Sequence, residues 1–222
     1  MSQYKVVEKF ISINGEGSFA GQLAVFIRFY GCNLDCSYCD TAWANNENTS
    51  FSIMTEAQIY HYIKETGIKN VTLTGGEPLL NPEMIQLIQV LAGDSELHVE
   101  IETNGSIDLS IFMKISNPPT FTMDYKLPGS FMESKMLNSN FWLLTKKDTV
   151  KFVVGDIEDL DCAREIITKN QLISKCHVYI STVFGKIGLD EVVEYMIKNT
   201  MNGITLQLQM HKVIWDPNRR GV

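Results

Sequence analysis

Positive charge is scarce in this 222-residue sequence: 19 lysines and arginines stand against 26 aspartates and glutamates, a net charge of −7. Non-specific binding to nucleic acid or to an anionic membrane favours a basic face, so neither direct nucleic-acid binding nor membrane binding is expected. Nowhere is there an apolar run of about 18 residues, the length a helix needs to span a bilayer. The opening MSQYKVVEKF lacks the apolar stretch and small-residue cleavage site of a secretion signal, so a cytoplasmic location is expected. No low-complexity tract, internal repeat or Gly/Ser/Pro-rich linker divides the chain, which argues for one domain over residues 1–222. The five cysteines are odd in number and unevenly spread, a poor disulfide framework. Cys162 and Cys176 stand alone and read as buried or half-buried thiols acting as small hydrophobes.

What the sequence does contain is an alternation of strand-like and helix-like segments. Segments 24–30 (AVFIRFY), 71–74, 98–103, 121–125, 150–154, 178–183 and 204–209 are rich in β-branched and aromatic residues. Helical patterns lie between them at Thr55–Glu65, Pro82–Leu91 after Asn81 as N-cap, Ile157–Lys169 and Leu189–Lys198. The connections 105–119 and 127–148 are only weakly helical. Alternation of this kind predicts crossover connections and a mostly parallel α/β sheet, either open or curled into a partial or closed barrel. Active sites of such folds sit at the carboxyl ends of the strands. The most unusual residues follow strand ends: Cys32–Cys39, Gly75-Gly76-Glu77-Pro78, Thr103-Asn104-Gly105 and Lys126.

Cys32, Cys36 and Cys39 form a C-x3-C-x2-C loop. Three thiolates so close can wrap a compact inorganic core. A structural zinc site needs four ligands, as does a fully ligated 4Fe–4S cluster. A zinc knuckle would need His61, His98, His177 or His211 as a distant fourth ligand, and no second C-x2-C or H-x3-H pair supplies one. With three ligands, one iron of a cluster stays open.

This loop after a first strand resembles the signature of the radical S-adenosylmethionine (SAM) enzymes, and Thr74-Gly-Gly-Glu-Pro78 matches that family's second motif. The resemblance implies a partial or modified (β/α)6 barrel of mostly parallel strands with some shortened helices. It implies a 4Fe–4S cluster on Cys32, Cys36 and Cys39, whose open iron chelates the amino and carboxylate groups of SAM. One electron then cleaves a carbon–sulfur bond, and the resulting 5′-deoxyadenosyl radical abstracts hydrogen. Residues implied to contact SAM are Tyr38, Cys39, Asp40, Gly76, Glu77, Thr103, Asn104, Asp124, Tyr125, Lys126 and the Ser181-Thr182-Val183-Phe184 segment.

Within that superfamily, Phe10–Gly17, Val25–Phe29, Cys39-Asp-Thr41, Asp124–Pro128, Val150–Val153 and the ending LQMHK…W…RGV are similar to the 7-carboxy-7-deazaguanine synthase family of the queuosine pathway. The similarity covers essentially the whole chain. It implies ring contraction of 6-carboxy-5,6,7,8-tetrahydropterin with loss of ammonia, magnesium on Thr41, a flavodoxin or ferredoxin as electron donor, and a homodimer. Ile13, Asn14, Gly15, Glu16, Arg28, Thr74, His211 and Val222 are the substrate-binding residues it implies. Asn14 stands where relatives usually carry glutamine, which puts its contact in question. A bidentate arginine fork suits the pterin carboxylate, and Glu16 suits its amide and amine edge. Two alternatives share some of these features: an activating enzyme that installs a glycyl radical in a partner, and a zinc-stabilised module without catalysis.

Overall fold

The computed structural model describes residues 2–222. Its strands are β1 (Tyr4–Ile13), β2 (Leu23–Phe29), β3 (Ser52–Met54), β4 (Asn70–Gly75), β5 (His98–Thr103), β6 (Thr120–Tyr125), β7 (Thr149–Val154), β8 (His177–Thr182) and β9 (Thr205–Leu206). They form one sheet in the order β3-β1-β2-β4-β5-β6-β7-β8-β9. From β2 to β9 every neighbouring pair is parallel, whereas β1 pairs antiparallel with β2 and with β3. The sheet is open, with β3 and β9 at its edges.

Helices α1 (Glu56–Thr66), α2 (Met84–Ala92), α3 (Ile157–Lys169), α4 (Leu172–Lys175), α5 (Leu189–Lys198) and α6 (Met210–Ile214) supply most crossovers. Between β5, β6 and β7 the helices shrink to single 3-10 turns. Buried Asn140 compensates for the lost helical hydrogen bonds there. Its amide accepts from Leu109 N at 3.1 Å and donates to Gly105 O at 3.1 Å and Ile107 O at 2.8 Å. Helix α1 starts at a capping box, Thr55 and Gln58 each accepting from the other's backbone, and stops at Gly67 with φ +69°.

Strand periodicity divides the residues between two faces. Val71, Leu73, Val99, Ile101, Phe121, Met123, Val150, Phe152, Val178 and Ile180 are buried on one face, within the same core as Ile59, Ile63, Leu87, Leu91, Leu160 and Ile167 of the helices. Each such side chain contributes about 1.5–3 kcal/mol through burial. The intervening positions are polar: Thr72 and Thr74, Glu100 and Glu102, Thr122 and Asp124, Lys151. The register places Thr72 beside Glu100, Glu102 beside Thr122 and Asp124 beside Lys151. One face of the sheet is therefore built to hold a polar ligand.

Two expectations are corrected, and one strand was not foreseen. Residues 4–13 form the longest strand, although a bulge between Val6 and Glu8 breaks its alternation. Helix α2 begins at Met84, two residues beyond Pro82; Asn81 ends the preceding 3-10 turn and accepts from Glu83 N at 2.9 Å. The last strand spans only Thr205–Leu206 of the expected 204–209; just beyond it Gln207 turns its side chain onto Gly17.

Candidate active site

The cysteine loop leaves the end of β2, and the Gly75-Gly76-Glu77 turn leaves the end of the adjacent β4. The two are bonded directly: Glu77 N donates to Gly31 O at 2.8 Å and Gly76 N to Phe29 O at 3.3 Å. Gly75 has φ +151°, and a side chain on it would strike the Phe29 backbone. A side chain on Gly76 would strike Gly31 O and Asn45 Oδ1. Glycine is required here by the closeness of two backbones. Glu77 braces the arrangement from beneath. Its carboxylate is 1% exposed and accepts from Thr103 Oγ1 at 2.9 Å, Asn104 N at 2.6 Å and Leu79 N at 3.0 Å. Burial nevertheless pushes its pKa up to about 7.

All three thiols are half-buried and line one cavity of about 700 Å³. Cys32 Sγ receives N–H groups from Leu34 at 3.4 Å and Asn104 at 3.7 Å. Cys39 Sγ lies 3.6 Å from Thr41 Oγ1. Burial raises the Cys32 thiol and raises Cys36 to about 11, opposed at Cys36 by Lys126. Among the described residues no three His, Cys, Asp or Glu side chains converge closely enough to hold one metal ion. Three thiols on one loop with N–H donors on a sulfur suit a cluster that takes its ligands from cysteine.

The same cavity is lined by Tyr38, Asp40, Thr41, Gly76, Thr103, Asn104, Asp124, Lys126, Val183 and Phe184, all expected near SAM or magnesium. It is also lined by Ile13, Gly15, Glu16, Arg28, Thr74, His211 and Val222 from the expected substrate side. Across its floor runs an ionic chain: Glu16 Oε2 lies 3.0 Å from Lys151 Nζ, Asp124 Oδ2 lies 3.5 Å from Lys151 Nζ and 3.1 Å from Lys126 Nζ. The Lys126 ammonium stands 5.9 Å from the Tyr38 ring centre. Burial works against the charge on Lys126 and Lys151, but the neighbouring carboxylates outweigh it and keep both cations firmly protonated.

Two segments remote in sequence, around 209–212 and 217–222, add to the cavity's lining. Gln207 makes a two-point clamp on Gly17, accepting from its N–H at 2.8 Å and donating to its carbonyl at 3.0 Å. His211 packs so close to Gly15 that a side chain there would meet Nδ1 at 2.5 Å, and burial lowers the His211 pKa. Lys212 Nζ reaches Asp40 Oδ2 at 3.3 Å, and the Arg220 guanidinium lies 4.0 Å from the Trp43 ring centre. The final residues are thus latched to the segment just after the third cysteine.

Five expected contacts have side chains turned elsewhere. Glu77 is the brace described above. Tyr125 packs on Phe141 and Phe152 on the helix-covered face, its hydroxyl 3.1 Å from Asn138 Oδ1. Ser181 is wholly buried and Thr182 sits in the β7–β8 ladder, so only Val183 and Phe184 of that segment line the cavity. Asn14 is 3% exposed and accepts from Thr72 Oγ1 at 2.9 Å, a structural use of the shortened amide. Arg28 does line the cavity, but its Nε is already held 2.7 Å from Glu8 Oε1; the terminal nitrogens remain for a ligand carboxylate. Sequence reasoning missed Glu8, Glu102, Lys151 and Lys212. For Glu102 and Lys151 the signal was present, as polar residues alternating with buried ones along β5 and β7.

Residues 26–122, from β2 into β6, match the radical SAM superfamily. That match sets the class, the radical SAM superfamily, whose members use a 4Fe–4S cluster and SAM. The similarity then extends far beyond those residues. A 7-carboxy-7-deazaguanine synthase of Clostridium acetobutylicum is 58% identical over 219 residues, covering 99% of each chain. One from Chlorobaculum tepidum is 32% identical over 98% of this chain and 96% of its own. The crystal structure of QueE from Escherichia coli superposes with a TM-score of 0.74 at 21% identity, covering 94% of this chain and 95% of that one. The chain belongs to the 7-carboxy-7-deazaguanine synthase family.

Proposed function

We infer that the chain is a 7-carboxy-7-deazaguanine synthase, contracting the ring of 6-carboxy-5,6,7,8-tetrahydropterin with release of ammonia. One observation carries this reading. A single cavity brings the three-thiol loop and its glycine turn against a carboxylate, an arginine and a histidine from distant parts of the chain. When bound, the cluster and SAM supply the one-electron chemistry that starts the reaction. The protein's residues supply orientation and exclusion of water. Arg28 offers its terminal nitrogens to the substrate carboxylate, and Glu16 accepts from ring N–H groups. The half-buried, neutral imidazole of His211 caps the ring, and Val222 and Arg220 narrow the mouth. Thr41, adjacent to the cluster loop, offers one hydroxyl to magnesium, which prefers oxygen ligands and retains water and substrate oxygens. Residues 1–222 act as one catalytic domain, in the cytoplasm, as a homodimer reduced by a flavodoxin- or ferredoxin-type protein.

The test is an anaerobic assay of reconstituted, reduced enzyme with SAM, magnesium and the carboxytetrahydropterin, followed by the deazaguanine absorbance. Product formation supports the reading; a protein with a full cluster that cleaves SAM yet yields no deazaguanine would overturn it. Against the glycyl-radical alternative stands the full-length similarity to 7-carboxy-7-deazaguanine synthases.

A further inference from the structure

Two buried carboxylates in the cavity are each only half used. Glu16 offers Oε2 to Lys151, while its other oxygen, Oε1, is buried with no hydrogen-bond partner. Asp124 offers Oδ2 to Lys126 and Lys151, while its Oδ1 is likewise buried and unpartnered. A carboxylate oxygen stripped of water and left unbonded is unfavourable, and is tolerated where a ligand is to supply the donor. The two carboxylates come from different places, Glu16 from the loop after β1 and Asp124 from β6. Lys151, on β7, touches both. Its side chain is 12% exposed, and those of Glu16 and Asp124 are 10% and 22% exposed.

The contacts around Lys151 are those of a scaffold. Asp124 retains Lys126 without it, at 3.1 Å, whereas among the described residues the Glu16 side chain is hydrogen-bonded to Lys151 Nζ alone, at 3.0 Å. Glu16 also rides on a glycine-flanked loop, Gly15-Glu16-Gly17, that does not fix its rotamer by strand packing. Its aim into the cavity therefore depends on the lysine. Resting on the reading of Glu16 as a pterin contact and Asp124 as a SAM contact, we propose that Lys151 is a positioning residue that sets both free carboxylate oxygens at once, so that one buried cation orients substrate and cofactor.

The experiment compares Lys151→Met, Glu16→Gln, Asp124→Asn and the double variant Glu16→Gln/Lys151→Met, all as reconstituted holoenzyme. Pterin and SAM binding are each measured by anaerobic equilibrium dialysis without reductant, alongside KM and kcat. Glu16→Gln is expected to weaken pterin binding alone and Asp124→Asn to weaken SAM binding alone. Lys151→Met is expected to weaken both, pterin by roughly tenfold or more and SAM by several-fold, with iron content unchanged. Because the lysine acts through Glu16, the double variant should bind pterin no more weakly than Glu16→Gln. Additive losses in the double variant, or unchanged pterin affinity in Lys151→Met, would overturn the proposal. Lys151→Gln carries the same expectations and the same overturning result if the methionine variant does not fold. Failure of the wild-type holoenzyme to bind or convert the pterin would instead sink the substrate reading, and this inference with it.

Discussion

Gly76 has no room for a side chain, because the carbonyl of Gly31 and the amide of Asn45 already occupy the space. Gly76→Ala should therefore push the glycine turn off the cysteine loop. Iron and sulfide per chain after anaerobic reconstitution are expected to fall sharply while far-UV circular dichroism is retained. Glu77, beneath the same turn, accepts from three donors. Glu77→Gln would aim an NH2 group at one of them and is expected to cost roughly 1–3 kcal/mol in urea unfolding. Thr41 lies between the cluster loop and the 3-10 turn Ala42–Asn45. Its hydroxyl touches Cys39 Sγ at 3.6 Å, a contact a thiolate does not need in order to bind iron, so Thr41→Ala should lower turnover by roughly tenfold and flatten its magnesium dependence with full cluster content. An unchanged magnesium response would remove Thr41 from that role.

At the scale of elements, the loop 14–22 after β1 carries Glu16, and its position depends on the Gln207 clamp from beyond β9. Gln207→Ala should raise the pterin KM several-fold while SAM affinity and melting temperature barely change, since both clamp bonds are partly exposed. Steady-state kinetics with varied pterin and calorimetric scans check this. The cysteine loop, the glycine turn and helices 157–169 and 189–198 were legible in sequence because each rests on local spacing. Strand β1 was not, because the bulge after Val6 shifts the phase that a period of two relies on. Helix α2 was misplaced by Asn81-Pro82, a good start signal that the chain spends on a turn. Arg28 was read as a substrate contact, but its partner Glu8 lies on the unrecognised strand, so the ion pair that steadies it could not be seen. Lys151 and Glu102 looked like ordinary strand polars. Only the register across four strands shows that such residues line one face.

For the whole molecule, two buried carboxyls dominate the expected pH response. Glu77 and Glu100 are both pushed from the ordinary 4.5 up to about 7, chiefly by burial, with Glu102 repelling Glu100 further. The folded chain holds those protons more tightly than the unfolded chain does. Stability should therefore decline as pH rises from about 4.5 to about 7 and level off above, by an amount on the order of a few kcal/mol. Urea midpoints of the cluster-free protein, measured from pH 5 to 8, check the direction, and Glu100→Gln should flatten the slope. A midpoint that rises with pH would contradict it. The Gln207–Gly17 clamp also bears on the order of events during synthesis. Its partners are separated by 190 residues, so the loop that carries Glu16 is not clamped until residue 207 has been synthesised. The cysteine loop and the turn that braces it emerge more than a hundred residues earlier. A cluster installed while the chain is still growing would therefore enter an open bed, with the later segments folding against it afterwards.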